Sequence, residues 1–147
     1  MGNTQKPRSI VIGVVGLAIN DKGQVLLTQR HQPQDPLVHG CWQLPGGGIE
    51  FGESPEQTLA REMQEELGVS VRILHPHPIA KTSIFATKVP FHVTLLCYLV
   101  SIDNQTPILN DPETAAWKWM TLDEAAKLKI LPLTMEFIQE ATALSHA

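Results

Sequence analysis

The sequence predicts an α+β fold, a mixed α/β sandwich with strands before and after one sharply delimited helix. Three observations predict it. Apolar, β-branched segments bounded by turn residues recur on both sides of residues 54–67. Within 54–67 the apolar period becomes helical, with Leu59, Met63 and Leu67 recurring every fourth residue. From Pro132 onward Leu133, Phe137, Ile138, Ala141 and Leu144 repeat that spacing, so a second long helix closes the chain.

In chain order, residues 9–19 form a first strand. Asp21-Lys22-Gly23 makes a tight turn, and Gln24 to Gln29 returns as the second arm of a hairpin that Arg30 closes. His31 to Gly40 is a loop with two prolines. Its His31 and His39 are candidates for phosphate or base contact, but the plainer reading is solvent-exposed loop residues. Trp42-Gln43-Leu44-Pro45 is a short strand feeding the glycine-rich loop Gly46-Gly47-Gly48, whose backbone can approach a ligand closely because no Cβ intervenes. Ser54 is the N-cap of the helix, Pro55 its first residue, Gln57 completes a capping box, and Gly68 stops it. Ala60 lies beside the apolar stripe.

Val69 to Leu74 reads as a strand, interrupted by His75-Pro76-His77-Pro78. That pair of histidines lacks further ligands at suitable spacing and reads as a turn rather than a metal site. Ile79 to Ala86 is extended, Val89-Pro90 turns, and Phe91 to Ile102 is the longest strand, apolar enough for burial on both faces. Residues 103–112 form a polar loop. Trp117 to Met120 is a strand, Thr121 starts a helix that runs to about Lys129, and Pro132 opens the last one, with Met135 and Phe137 in the core.

The 147 residues are long enough for a sizeable core and are expected to form one domain, residues 1–147. A composition of 43% hydrophobic and 18% charged residues is ordinary for a globular protein. The net charge is −4 and no basic patch of the size needed to neutralise many phosphates of a nucleic acid polymer is visible, so no polymer partner is expected. A small anionic substrate would then need bridging cations. Cys41 and Cys97 make no disulfide framework and are expected as buried thiols in a reducing cytoplasm. The apolar run Ile10 to Ile19 is too short to cross a bilayer and has no small-x-small cleavage site, so no membrane association is expected.

The chemistry concentrates on one helix face. Glu62 and Glu66 are one turn apart and Glu65 flanks them. Glu50, Glu53 and Glu56 add charge, and Arg61 is the lone cation between Gly46 and Val69. Like charges at this spacing cost a helix a few tenths of a kcal/mol per pair. A solvated face explains an ordinary pair of glutamates. Three of them after a glycine loop instead suit a hard divalent cation, Mg²⁺ or Mn²⁺, which takes oxygen ligands.

Gly47, Glu53, Arg61-Glu62-Met63, Glu65-Glu66 and Gly68-Val69 stand at the spacing of the Nudix box, and the stretch resembles that motif at every fixed position. LLTQR, WQLPGG and Glu113 with Trp119-Met120 look like MutT-type members of the family. The resemblance implies an α/β/α sandwich around a mixed sheet. It implies hydrolysis of a nucleoside diphosphate linked to another moiety, by water attack on phosphorus. It makes Glu62 and Glu66 the principal metal ligands, with Glu65 and the Gly47 carbonyl beside them. Arg61 would orient a glutamate, either Glu65 or Glu53, and Glu53 would support the loop. The general base would be a box glutamate such as Glu62 or Glu65, or the downstream Glu113. Arg30 and Lys88 are candidates for phosphate contact, and Gly46, Gly47 and Gly48 for backbone contact with substrate.

The substrate is expected by exclusion. Lys81 to Thr87 lacks the proline or tyrosine that marks the ADP-ribose and diadenosine-polyphosphate branches, the proline-rich signature of the NADH branch is missing, and the loop after LLTQR lacks the arginine of the coenzyme A branch. The resemblance then favours a nucleoside triphosphate, cleaved to monophosphate and pyrophosphate. An ADP-ribose or nucleotide-sugar pyrophosphatase and a non-catalytic nucleotide sensor are the alternatives. Trp42, Phe85, Trp117 and Trp119 are either a stacking surface for the base or core. Relatives suggest a homodimer.

Overall fold

The structure is a computed structural model that describes residues 10–85 and 91–145. Its elements are β1 (Ile10–Ala18), β2 (Val25–Arg30), β3 (Trp42–Gln43), β4 (Gly46–Gly48), α1 (Pro55–Leu67), β5 (Arg72–Ile73), β6 (Ile79–Phe85), β7 (Phe91–Ser101), β8 (Thr114–Met120), α2 (Leu122–Ala126) and α3 (Thr134–Ser145).

They form two sheets. The larger runs β4-β1-β7-β5, with β6 also on β7. β1 and β7 are parallel from Ile10↔His92 to Ala18↔Val100, and the other pairs are antiparallel, so the sheet is mixed. β5 and β6 share one edge of β7 end to end, and His75 to Pro78 makes the jog between them. The smaller sheet runs β3-β2-β8.

β1 shows why helices cover both faces. Its side chains alternate. Val14 and Ala18 join Leu26, Tyr98 and Val100 under the α1 stripe of Leu59, Met63 and Leu67. Val15 and Leu17 join Leu27, Val93 and Cys97 under Phe137, Ile138 and Ala141 of α3. This is the α/β/α arrangement expected. Each fully buried leucine or phenylalanine contributes roughly 1.5–3 kcal/mol, so α1 is held by its stripe rather than by propensity.

Several boundaries differ from the sequence reading. The hairpin of β1 and β2 does not form. One bridge, Ile19↔Val25, survives beside the turn, where Asn20 Oδ1 accepts from the amides of Lys22 and Gln24. Beyond it β2 joins the other sheet, because β7 and β4 already occupy both edges of β1. The glycine loop is a strand, with Gly46 opposite Val15 and Gly48 opposite Gly13. The strand expected over 69–74 contracts to β5, since Val69 is buried under α1 and the Ser70 amide donates to Gln105. α2 ends at Ala126, capped by Lys127. α3 starts at Thr134 rather than Pro132, because Leu133 takes a left-handed φ of 77° that no helix continues through. Ala60 is exposed.

Cys41 and Cys97 are buried free thiols. Trp117 and Trp119 pack against the α1 core and Trp42 against the α3 core, which favours the core reading for all three. His75 and His77 sit in the turn expected of them. His39 departs from the exposed-loop reading: it is half-buried, and its Nδ1 accepts from the Gln32 amide at 2.9 Å. Among the described residues no helix is long and apolar enough to cross a membrane. Lys88, the Val89-Pro90 turn and the Phe85 side chain lie outside what is described.

Candidate active site

The capping of α1 sets the site. Ser54 accepts from the Gln57 amide and the Gln57 side chain accepts from the Ser54 amide, fixing where the helix starts. From that start Leu59, Met63 and Leu67 face the core, and Glu62 and Glu66 fall on the side toward β4.

Both carboxylates meet the glycine strand. Glu66 is only 4% exposed, and its Oε2 accepts from the Gly46 amide at 2.8 Å. Gly46 has a φ of 147°, and a Cβ there would strike the Val14 carbonyl. A Cβ on Gly47 would run into the Glu62 carboxylate. The two glycines therefore allow a sheet backbone and two acidic side chains to occupy adjacent space.

Arg61 ties the rest together. Its Nε donates to Glu53 Oε2 at 2.7 Å and its Nη2 to Glu53 Oε1 at 3.0 Å, a two-point grip. Its Nη1 reaches Glu62 at 2.9 Å and Glu65 at 3.3 Å, and Nη2 also reaches the Gly48 carbonyl at 3.3 Å. Both partners named from the sequence are engaged, and Glu62 is added to them. Glu53 in turn accepts from the Glu50 amide and the Thr58 hydroxyl, a loop-support role.

The electrostatics are unequal. The Arg61 hydrogen bonds hold the Glu53 carboxyl down at about 2. Burial pushes Glu62 up, against the pull of Arg61 and with a push from Glu65 and Asp111. Burial pushes Glu66 up to about 8, with Glu62 and Asp111 adding repulsion and Gly46 and Arg30 opposing it. Glu66 is thus a buried acid with no cation bonded to it among the described residues, and Glu62 a half-buried one that Arg61 only partly offsets.

Asp111 is the carboxylate that sequence reasoning missed. It lies two residues before Glu113, one of the candidate bases, in the same loop, and repels both Glu62 and Glu66. Its Oδ1 accepts from the Glu113 amide at 2.9 Å, and the Asn110 amide donates to the Glu66 carbonyl at 3.4 Å, so the loop is anchored on α1. Glu113 is exposed, and its carbonyl accepts from the His31 amide at 2.7 Å. The Asp-Pro step before it, which favours a local side-chain turn, was the available signal. Lys129 was also missed: its ammonium donates to the carbonyls of Pro36 and His39 and straps down the 31–40 loop.

Behind the glycine strand lies a cavity of about 290 Å³. Val11 and Val15 of β1, Val93 and Leu95 of β7 and Phe137 of α3 supply apolar walls, with Arg30, Gln43 and Gly46 to Gly48 along the side nearest the acids. Arg30 both lines this cavity and opposes the upward push on Glu66.

The donor set fits a hard cation. Glu62, Glu65 and Glu66 offer oxygen alone, and burial has left Glu62 and Glu66 undercompensated. Among the described residues no three acidic, histidine or cysteine side chains form a ready-made cage. Arg61 holds Glu62 and the Gly46 amide holds Glu66, so the carboxylates are engaged separately. Mg²⁺ suits such a set, because it keeps several waters and takes one or two carboxylates together with substrate phosphates.

A family model described as a NUDIX domain matches residues 9–141. The chain belongs to the Nudix family. Members of the Nudix family generally use Mg²⁺ or Mn²⁺, in keeping with the oxygen donors above. Among Nudix relatives, the CTP pyrophosphohydrolase of Escherichia coli is 31% identical over 153 residues, covering 93% of this chain and 96% of that protein. The RNA pyrophosphohydrolase of Acinetobacter baylyi is 50% identical over 56 residues, covering 37% of this chain and 30% of that protein. The match to that protein and to its namesake from Ruthia magnifica spans about a third of their length. Among solved structures, the MutT Nudix hydrolase from Burkholderia pseudomallei superposes with a TM-score of 0.72 at 25% identity, over 90% of this chain and 98% of that one.

Proposed function

We propose that this Nudix chain is a divalent-metal-dependent pyrophosphohydrolase that cleaves a nucleoside triphosphate to the monophosphate and pyrophosphate. The observation that carries the reading is the pair of acids, half-buried Glu62 and buried Glu66, held against a glycine strand that also walls a base-sized cavity. A triphosphate lying along Gly46 to Gly48 has its phosphates at the acids and its base in the cavity.

Glu62, Glu65 and Glu66, with the Gly47 carbonyl, would hold Mg²⁺ or Mn²⁺. An ion held there would supply charge neutralisation for the diphosphate and activation of water. The chain does the rest by alignment, as phosphoryl and nucleotidyl transfer require. Arg61 fixes the rotamers of Glu62 and Glu65. Arg30 lies where it can meet a phosphate on the cavity side. The proton of the attacking water goes to a carboxylate at the rim: a box glutamate, Asp111 or Glu113. The near-full-length likeness to a CTP pyrophosphohydrolase supports a triphosphate substrate.

Incubation with a panel of nucleoside triphosphates, ADP-ribose and nucleotide sugars in Mg²⁺, with product analysis, tests this. Monophosphate and pyrophosphate from a triphosphate is the expected result. Cleavage confined to ADP-ribose or a nucleotide sugar moves the chain to that branch. Binding without turnover on any member makes it a nucleotide-sensing module.

A further inference from the structure

Arg30 and Gln43 are the charged and amide side chains that line the cavity behind the glycine strand. Gln43 lines the wall, and its Oε1 accepts from Arg30 Nε at 3.1 Å. That bond locks the amide: arginine has no acceptor, so a flip would set NH₂ against N–H. The Gln43 NH₂ is therefore the free end, and among the described residues it has no partner. Arg30 spends Nη1 on Gln32 at 3.2 Å and keeps Nη2 uncommitted. No carboxylate lines the cavity, and its one hydroxyl belongs to Thr134, 4% exposed at the start of α3.

We infer that this cavity selects a nucleobase edge with two adjacent acceptors, read by the Gln43 amide N–H and the Arg30 guanidinium. Guanine offers such an edge at O6 and N7, and cytosine at O2 and N3. Adenine sets an amino donor beside N7, and uracil or thymine sets its N3–H between two carbonyls, so each leaves a donor facing a donor. A donor facing a donor in an apolar slot loses the bond and keeps the desolvation cost. The inference rests on the nucleotide reading of the site but not on turnover.

The test is equilibrium binding of the four α,β-methylene nucleoside triphosphates in Mg²⁺. The guanine and cytosine analogues are expected to bind ~10-fold or more tighter than the adenine and uracil ones. The two tight binders, compared with each other, show which acceptor pair fits better. Gln43→Glu keeps the Arg30 contact and replaces the free NH₂ with an acceptor, so the guanine and cytosine advantage should vanish at unchanged melting temperature. Equal affinities, an adenine or uracil preference, no binding at all, or a folded Gln43→Glu protein with the original ranking would each overturn the inference. The predicted ranking without cleavage of the natural triphosphates would leave it standing and remove the hydrolase reading instead.

Discussion

Arg61 grips Glu53 at both oxygens while its third nitrogen holds Glu62 at 2.9 Å, so one guanidinium sets the loop and the site carboxylate together. Lysine has no fork and cannot span these acceptors. Arg61→Lys should keep the fold and lower turnover by about 10–100-fold, the usual cost of losing a group that orients metal-binding side chains. Steady-state rates with circular dichroism on the same samples check it. Full activity would show that Glu62 needs no such anchor.

Glu66 makes a prediction about pH. Burial raises its folded pKa to about 8, whereas an unfolded glutamate titrates near ~4.3. Between those values the folded state holds the extra proton, so metal-free stability falls as pH rises through the window. Melting temperatures of wild type and Glu66→Gln, measured without metal from pH 5 to pH 8, should converge or cross, with wild type losing ground. Parallel curves would contradict the burial argument.

Gly47 and Gly48 are neighbours with opposite tolerance. A Cβ at Gly47 meets the Glu62 carboxylate, whereas at Gly48 nothing lies within 4 Å. Gly47→Ala should cost ~1–3 kcal/mol by crowding and about 100-fold in rate by displacing Glu62. Gly48→Ala should leave stability close to wild type and lower the rate less than Gly47→Ala. Chemical denaturation and initial rates on the two proteins separate steric from generic effects.

Asp111 and Glu113 compete for one role. Asp111 repels both Glu62 and Glu66 and Glu113 is exposed, so Asp111→Asn should lower turnover by about 100-fold and Glu113→Gln by far less. Asparagine keeps the acceptor for the Glu113 amide, so the loop turn survives. The reverse order of effects would return the role to Glu113.

Local signals made most of this legible in the sequence. Ser54, Gln57 and Gly68 mark the ends of α1 through hydrogen bonds made within a few residues, and the Leu59-Met63-Leu67 stripe fixes which face is buried. From those two facts the placement of Glu62 and Glu66 follows. The parts that stayed hidden depend on distant partners. Nothing near Asp21 says that β1 prefers β7, some 80 residues away, to β2, and nothing in three glycines says that they pair with Gly13 to Val15. Asp111 and Glu113 are alike as residues. Only the docking of their loop on the end of α1, through Asn110 and Glu66, distinguishes them.

The central claim is that Glu62 serves by its charge. Gln at that position keeps the shape beside Gly47 and removes only the negative charge. Turnover of the best triphosphate by Glu62→Gln, at saturating Mg²⁺ and matched melting temperature, should fall by about 100- to 1,000-fold. A rate within a few-fold of wild type would contradict the account.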